Sequence, residues 1–480
     1  MEAQKTSYDL VVGLEIHVQM NTLTKAFCNE RNTFGAEPNT QVGVVSLAYP
    51  GSLPVPNIRH LEKAIRLGLA LGSAIASTVY FDRKNYVYPD LPKGYQITQD
   101  AQPICQGGSL HLSSSGRNVR IHHVHMEEDA GKLIHDQDPQ ATLIDLNRAG
   151  VPLLEIVTEP DLFSPEEVYE FITEIQQLVR YLDVSDGNME EGSLRCDCNV
   201  SVKPAGSSTL GQRCEIKNVN SRRFARQAVE AEYERQVGLL TKGEQIKQQT
   251  LHFDKERRLT IPMRSKEEAH DYRYFPDPDL PPFPVHQEEV MRIRQEMPPL
   301  PWEIKESLQQ KFHLSEEDAL TIAGHLHEAS FYIRVAEQLP SDYWRVLTDV
   351  FIHKIKPLDP EDKFPLSDPQ LTDLCTWIGD QRVNRTVALS TLWDAWLLTP
   401  GQSMESMAHR LNIIQTDDES FIKDLIREAF KQFPDKAVAL KEGKKNLIGL
   451  FMGEVMRTSG GKAHPQRTRQ LIETLVQELE

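Results

Sequence analysis

The stretch VVGLEIHVQM, residues 11–20, alternates apolar Leu14, Ile16 and Val18 with polar Glu15, His17 and Gln19. A period of two is that of a β-strand with one face buried and the other open. Glu15 and His17 then stand on the open face with Cβ atoms about 6–7 Å apart, close enough to share a metal ion. An edge strand with ordinary polar residues turned to water has the same pattern. Both readings stay open on this stretch alone.

Outward from it, the first 290 or so residues hold further strand-like runs: RIHHVHM (120–126), PLLEIVT (152–158) and SLRCDCNVSVK (193–203), separated by Gly, Pro and Asn turns. One helix interrupts them. In SPEEVYEFITEIQQLVRYL (164–182), Ser164 is the expected N-cap, Pro165 takes the first helical position and Glu167 closes a capping box. Val168, Phe171, Ile172, Ile175, Leu178, Val179 and Leu182 fall on one stripe. Strand runs with segregated helices predict an α+β domain rather than a doubly wound sheet.

Proline-dense FPDPDLPPFPV (275–285) and MPPLPWE (297–303) then block helix interiors and central strands. From about Trp302 the pattern turns helical, opening with a Ser315–Asp318 cap and continuing through LTDLCTWIGDQRVNRTVALSTLWDAWLL (371–398). A break at TPGQSM (399–404) precedes two short amphipathic helices, 419–433 and 444–456, and a final one. The expected organisation is an α+β domain over 1–295, an all-α domain over 296–400 and a small α-helical tail over 401–480.

Composition excludes several classes. With 39% hydrophobic residues and no apolar run of some 18, nothing spans a membrane. No basic n-region with an apolar h-region opens the chain, and six scattered cysteines fit reduced thiols, so a cytoplasmic protein is expected. A net charge of −17 argues against a general nucleic-acid binder. The charge is uneven, however. Residues 435–470 carry eight basic side chains, Lys444 and Lys445 among them, against three acidic ones. A phosphate-contacting end shows this pattern, and so does a solvated helical face.

There is no P-loop, no G-x-G-x-x-G, no H-E-x-x-H and no G-x-S-x-G. Cys196 and Cys198 form a C-x-C, but they alternate with polar residues beside Leu194 and Val200, so they read as core. The chemistry lies in the carboxylates. If residues 121–129 are extended, His123, His125, Glu127 and Asp129 share one face, with His122 and Glu128 on the other. Glu155 sits inside the apolar run of residues 151–157, which reads as a central strand covered on both faces. A carboxylate there needs a cation or donors, supplied by a salt bridge or by a metal. Glu15, His17, Glu127 and Glu155 make an oxygen-rich set with one nitrogen, which suits Mg²⁺ or Mn²⁺. Arg83, Lys84, Lys93, Arg195 and Lys217 are strand-borne cations that can clamp phosphates, or pair with neighbouring acids.

Several longer phrases carry a family resemblance. GLEIHVQ, FDRKNYVYPDLPKGYQITQ, HMEEDAGK, DLNRAGVPLLEIVTEPD, EGSLRCDCNVSV, DYRYFPDPDLPP and the tail GLFMGEVMRTSGGKAHP resemble, in order, the blocks of the B-type polypeptides (GatB) of heterotrimeric tRNA-dependent amidotransferases. The resemblance spans nearly the whole chain. No stretch is long enough for the domain inserted in the archaeal E-type relative, so the B type fits better. It implies a cradle-shaped α+β catalytic domain similar to glutamine synthetase and guanido kinases, followed by helical and tail domains that touch tRNA. It implies partners too: the amidase of the heterotrimer (its A component), the small C component and misacylated tRNA. The implied reaction uses ATP to phosphorylate the side-chain carboxylate of Glu or Asp esterified to tRNA, after which ammonia from the amidase displaces the phosphate. The implied metal positions are Glu15, His17, Glu127 and Glu155, with Lys84, Lys93, Arg195 and Lys217 as candidate nucleotide contacts. One departure stands out. Of a four-cysteine zinc site common in the family only Cys28 remains, with Glu30, Gly43 and Ser46 at the other positions, so no zinc is expected. A non-catalytic tRNA-binding scaffold of the same complex is the competing expectation.

Overall fold

The alternation at residues 11–20 becomes β1 (Tyr8–Gln19), whose Leu14, Ile16 and Val18 are buried while Glu15, His17 and Gln19 are partly open. The computed structural model describes residues 7–479 except 136, 264–270, 359–363 and 400. The chain divides between Leu300 and Pro301 into two compact units.

In the first unit β1 is followed by β2 (Asp82–Asn85), β3 (Tyr95–Thr98), β4 (Arg117–Glu128), β5 (Pro152–Thr158), β6 (Leu194–Pro204), β7 (Cys214–Val219), β8 (Thr250–Asp254) and β9 (Leu259–Pro262). The main sheet runs β9-β8-β7-β6-β1-β5-β4 and continues through two short edge strands; only the β7–β8 pairing along these seven is parallel. β2 and β3 pair in a separate small sheet. A mostly antiparallel sheet leaves one face available to solvent or ligand.

The other face is core. Leu14, Ile16, Val18, Val124, Met126, Leu154, Ile156, Cys196 and Cys198 share one cluster with the apolar sides of α1 (Ile58–Ala70) and α2 (Pro165–Tyr181) and with Ala225, Ala228 and Val229 of α3 (Arg222–Thr241). The two cysteines are thus buried packing, as their alternation implies. Ser164 caps α2, accepting from the Glu167 N–H at 3.1 Å. The box closes differently from expectation: the Glu167 carboxylate accepts from the N–H of Phe163 and pairs with Arg117. Val168, Phe171, Ile172, Ile175, Leu178 and Val179 of α2 are fully buried, each contributing about 1.5–3 kcal/mol by leaving water.

The second unit is helical. Its first helices are Pro301–Phe312, Glu316–Ile322, capped by Ser315, and Leu326–Ala336. The run read as helices over 371–398 is helical on both sides of a break after Gly379, where Gln381 takes φ 57° and Val383 bridges to Ile414. Near the C-terminus Glu419–Gln432, Pro434–Lys441, Ile448–Thr458 and Pro465–Leu475 pack around Ile422, Ile426, Phe430, Phe451, Val455 and Ile472. Among the described residues no helix is long and apolar enough to cross a membrane.

Candidate active site

Strand register sets the site. His17 lies opposite Glu155 on one side and Arg195 on the other, and Glu155 lies opposite His125. Arg195, His17, Glu155 and His125 therefore form one row across four strands of the open face. Directly opposed side chains interact. The neighbouring row is Asp197, Glu15, Val157 and His123, and the row on the other side holds Gln19, Leu153 and Glu127.

Where these rows cross, His17 Nε2 lies 3.2 Å from Glu155 Oε2 and 3.9 Å from Glu127 Oε1. His125 Nε2 stands 3.5 Å from both Glu127 Oε2 and Glu155 Oε2. One ligand atom from each of His17, Glu127 and Glu155 falls within 4.8 Å of the others. Burial opposes charge on His17, but the hydrogen bond and charge of Glu155, with Glu127 behind it, outweigh this and raise its pKa to about 9. Burial likewise opposes ionisation of Glu155, and the two imidazoles, His17 foremost, hold its carboxyl well below the usual range.

A cavity of about 330 Å³ opens on this cluster, lined by His17, Lys84, Tyr86, Glu127, Asp129, Arg195, Lys217 and Tyr272 among others. Lys84 Nζ lies 4.8 Å from the centre of the Tyr272 ring and forms no ion pair among the described residues. Buried Asp129 accepts from Gln19 at 2.6 Å and Arg195 at 2.8 Å, with Arg148 at 3.5 Å.

The structure redistributes several residues named from the sequence. Glu15 does not join His17: one row away, it gathers with Asp197 and Glu215 in a second group of three carboxylates within 4.8 Å. Burial first, then the charges of Glu155, Glu215 and Asp197, raise the Glu15 pKa against the hydrogen bond from Asn199. Lys93 leaves the cavity altogether. Its ammonium pairs with Glu128, both buried on the core side of β4, because alternation turns Glu128 away from Glu127. Arg83 is held by Asp277 and Asp279. Arg195 and Lys217 do line the cavity, yet each already holds an acid, Asp129 and Glu215 respectively. Nor is β5 covered on both faces, since Glu155 and Val157 stay partly open to the cavity side.

His125, Asp197 and Glu215 complete these groups, and strand alternation marks His125 as a facemate of Glu127; the other two required knowledge of which strands pair. Tyr86 and Tyr272 came without a sequence signal. The departed zinc positions do converge in space. Cys28 Sγ is 4.0 Å from Ser46 Oγ, and the Glu30 carboxylate fills the space that a side chain at Gly43 would need. Burial and Glu30 push the Cys28 thiol up to about 11. One protonated thiol, a carboxylate and a hydroxyl are not a four-ligand zinc set.

Fold and site define an α+β protein whose open sheet face carries an acidic, imidazole-bearing cavity ringed by basic side chains. The GatB/GatE catalytic domain model matches residues 10–291, and a GatB domain model matches 342–476. The chain belongs to the GatB/GatE family. It is 41% identical over 477 residues to the B subunit of the aspartyl/glutamyl-tRNA(Asn/Gln) amidotransferase of Thermodesulfovibrio yellowstonii, covering 98% of this chain and 100% of the relative. The proteins of the same name from Nitrosospira multiformis and Pelagibacter ubique are 40% and 39% identical, covering 97% and 99% of this chain and 98% of each relative.

Proposed function

We propose that this chain is the tRNA-amidating component of an aspartyl/glutamyl-tRNA amidotransferase, working in the cytoplasm with the amidase (A) and small (C) components of the heterotrimer. The observation that carries the reading is the convergence of His17, Glu127 and Glu155 beside a cavity that His17 and Glu127 line, in a family whose members bear that name. Two carboxylates and one imidazole fit Mg²⁺, or Mn²⁺ in its place, and the Glu15, Asp197 and Glu215 group offers a second all-oxygen position. Bound there, the ion would neutralise the phosphate charge of ATP. No zinc is part of the proposal.

A carboxylate is a poor acyl donor, so its oxygen has to become a leaving group. The aminoacyl carboxylate oxygen attacks the γ-phosphorus of ATP and ADP leaves; ammonia then adds at the carbonyl carbon and phosphate departs, with loss of a proton. Such transfers depend on positioning and charge neutralisation. Lys84 and Lys217 face the cavity and would meet phosphate oxygens, while Asp129 orients the Arg195 guanidinium from behind. A scaffold that only binds tRNA has no use for Glu155, largely buried, beside two imidazoles.

Two results are expected. With its pKa near 9, His17 is protonated at neutral pH in the metal-free chain, and a metal ligand must shed that proton. Metal binding therefore releases a proton, and affinity rises with pH until His17 titrates. Mn²⁺ titrations between pH 6 and pH 9 should tighten by up to about tenfold per unit; a pH-independent affinity would remove His17 from the ligand set. The tail over 401–480 is proposed to bind tRNA through its basic residues. Truncation after about residue 400 should weaken tRNA affinity while glutamine hydrolysis by the complex persists, and unchanged affinity would return Lys444 and Lys445 to a solvated face. The reading as a whole is tested by co-expression with the two partner proteins and an ATP-dependent amidation assay on Glu-tRNA(Gln) and Asp-tRNA(Asn). Failure on both substrates contradicts it.

A further inference from the structure

On β4 a file of imidazoles leads from the surface to the carboxylates. His122 is exposed, and its Nδ1 lies 2.7 Å from Nδ1 of His123. His123 Nε2 in turn lies 3.1 Å from Nδ1 of buried His125, the two rings stacked at 22° with centroids 5.2 Å apart. The register explains how adjacent residues come together. His123 pairs with Val157 and Ile121 with Thr158, so His122 falls in an irregularity of the ladder.

We infer that His123 is a positioning residue for the proposed reaction: by holding His125 Nδ1, it aims His125 Nε2 at Glu127 and Glu155 and keeps their oxygens turned towards His17. This rests on the metal reading above. Each imidazole has only two in-plane hydrogen-bonding atoms, so fixing one nitrogen fixes where the other points. Both Glu127 and Glu155 stand 3.5 Å from His125 Nε2, which makes that ring the hinge between them. Without a partner at Nδ1 the ring can rotate about its side-chain bonds, and the two oxygens lose their shared reference. Burial, then the neighbouring His125 and His122, lower the His123 pKa to about 4, so its Nε2 keeps a lone pair for His125 at neutral pH. Partners of this kind tune metal affinity by about 10–100-fold.

The test compares the wild-type full chain with His123→Ala and His123→Gln, measuring Mn²⁺ affinity by the electron paramagnetic resonance of the free ion, and unfolding in urea. His123→Ala is expected to weaken Mn²⁺ binding by about tenfold without a shift in the urea midpoint. His123→Gln, whose amide oxygen accepts from His125 Nδ1, should recover most of it. Wild-type affinity in His123→Ala overturns the inference, as does a loss matched by destabilisation or one that His123→Gln leaves uncorrected. A wild-type chain that binds no Mn²⁺ overturns the metal reading itself, which separates the two failures.

Discussion

Glu155→Gln is expected to abolish amidation, by at least about 100-fold, while leaving tRNA affinity within about twofold. The substitution keeps the size and shape of the side chain and one acceptor oxygen, so the sheet has no reason to rearrange. What it removes is the charge between two imidazoles, His17 at 3.2 Å and His125 at 3.5 Å. Without it the proposed metal set loses an anionic oxygen, and His17 loses the partner that raises its pKa towards 9. The variant should therefore bind Mn²⁺ far more weakly and show a flatter pH dependence. A single-turnover assay on Glu-tRNA(Gln) checks the rate, and filter binding checks the tRNA. Normal ATP-dependent turnover would mean that the chemistry lies elsewhere and that the scaffold reading is the better one.

Glu128→Leu is expected to act oppositely, through the fold. Glu128 and Lys93 pair on the core side of β4, their side chains 2% and 5% exposed, and Glu128 also accepts from the Ile97 N–H at 3.0 Å. Removing one member of such a pair strands the other charge in a dry environment, at a cost of about 3–5 kcal/mol. Urea unfolding of the first unit should shift by that amount. Glu127→Gln should leave the midpoint nearly unchanged and weaken Mn²⁺ binding instead. A stable Glu128→Leu variant that fails to bind Mn²⁺ would reverse the roles assigned to these neighbours.

Much of this was legible before the structure because it depends on local periodicity. The strand at residues 11–20 and helix α2 each carry a face pattern and, for the helix, a cap, and both form where their patterns place them. The choice of Glu127 over Glu128 as the residue facing the cavity also follows from alternation along a single strand. Lateral relations were not legible. That Glu15 gathers with Asp197 and Glu215, and not with the His17 group, depends on which strands are neighbours and in what register. Partner choice failed for the same reason: nothing near Lys93 in sequence says that it reaches Glu128 rather than a phosphate. Helix Pro434–Lys441 leaves no periodic mark because only Ala437 and Leu440 are buried along it, too little for an apolar stripe.

The central claim is that the aminoacyl carboxylate becomes a phosphorylated intermediate in this cavity. Isotope transfer tests it most directly. Glu-tRNA(Gln) carrying ¹⁸O in both side-chain carboxylate oxygens is amidated by the complex with unlabelled ATP in unlabelled water, and the inorganic phosphate is analysed by mass spectrometry. Attack of the carboxylate oxygen on the γ-phosphorus predicts one ¹⁸O in each phosphate released per amide formed. Phosphate free of label, alongside normal amide formation, would contradict the account.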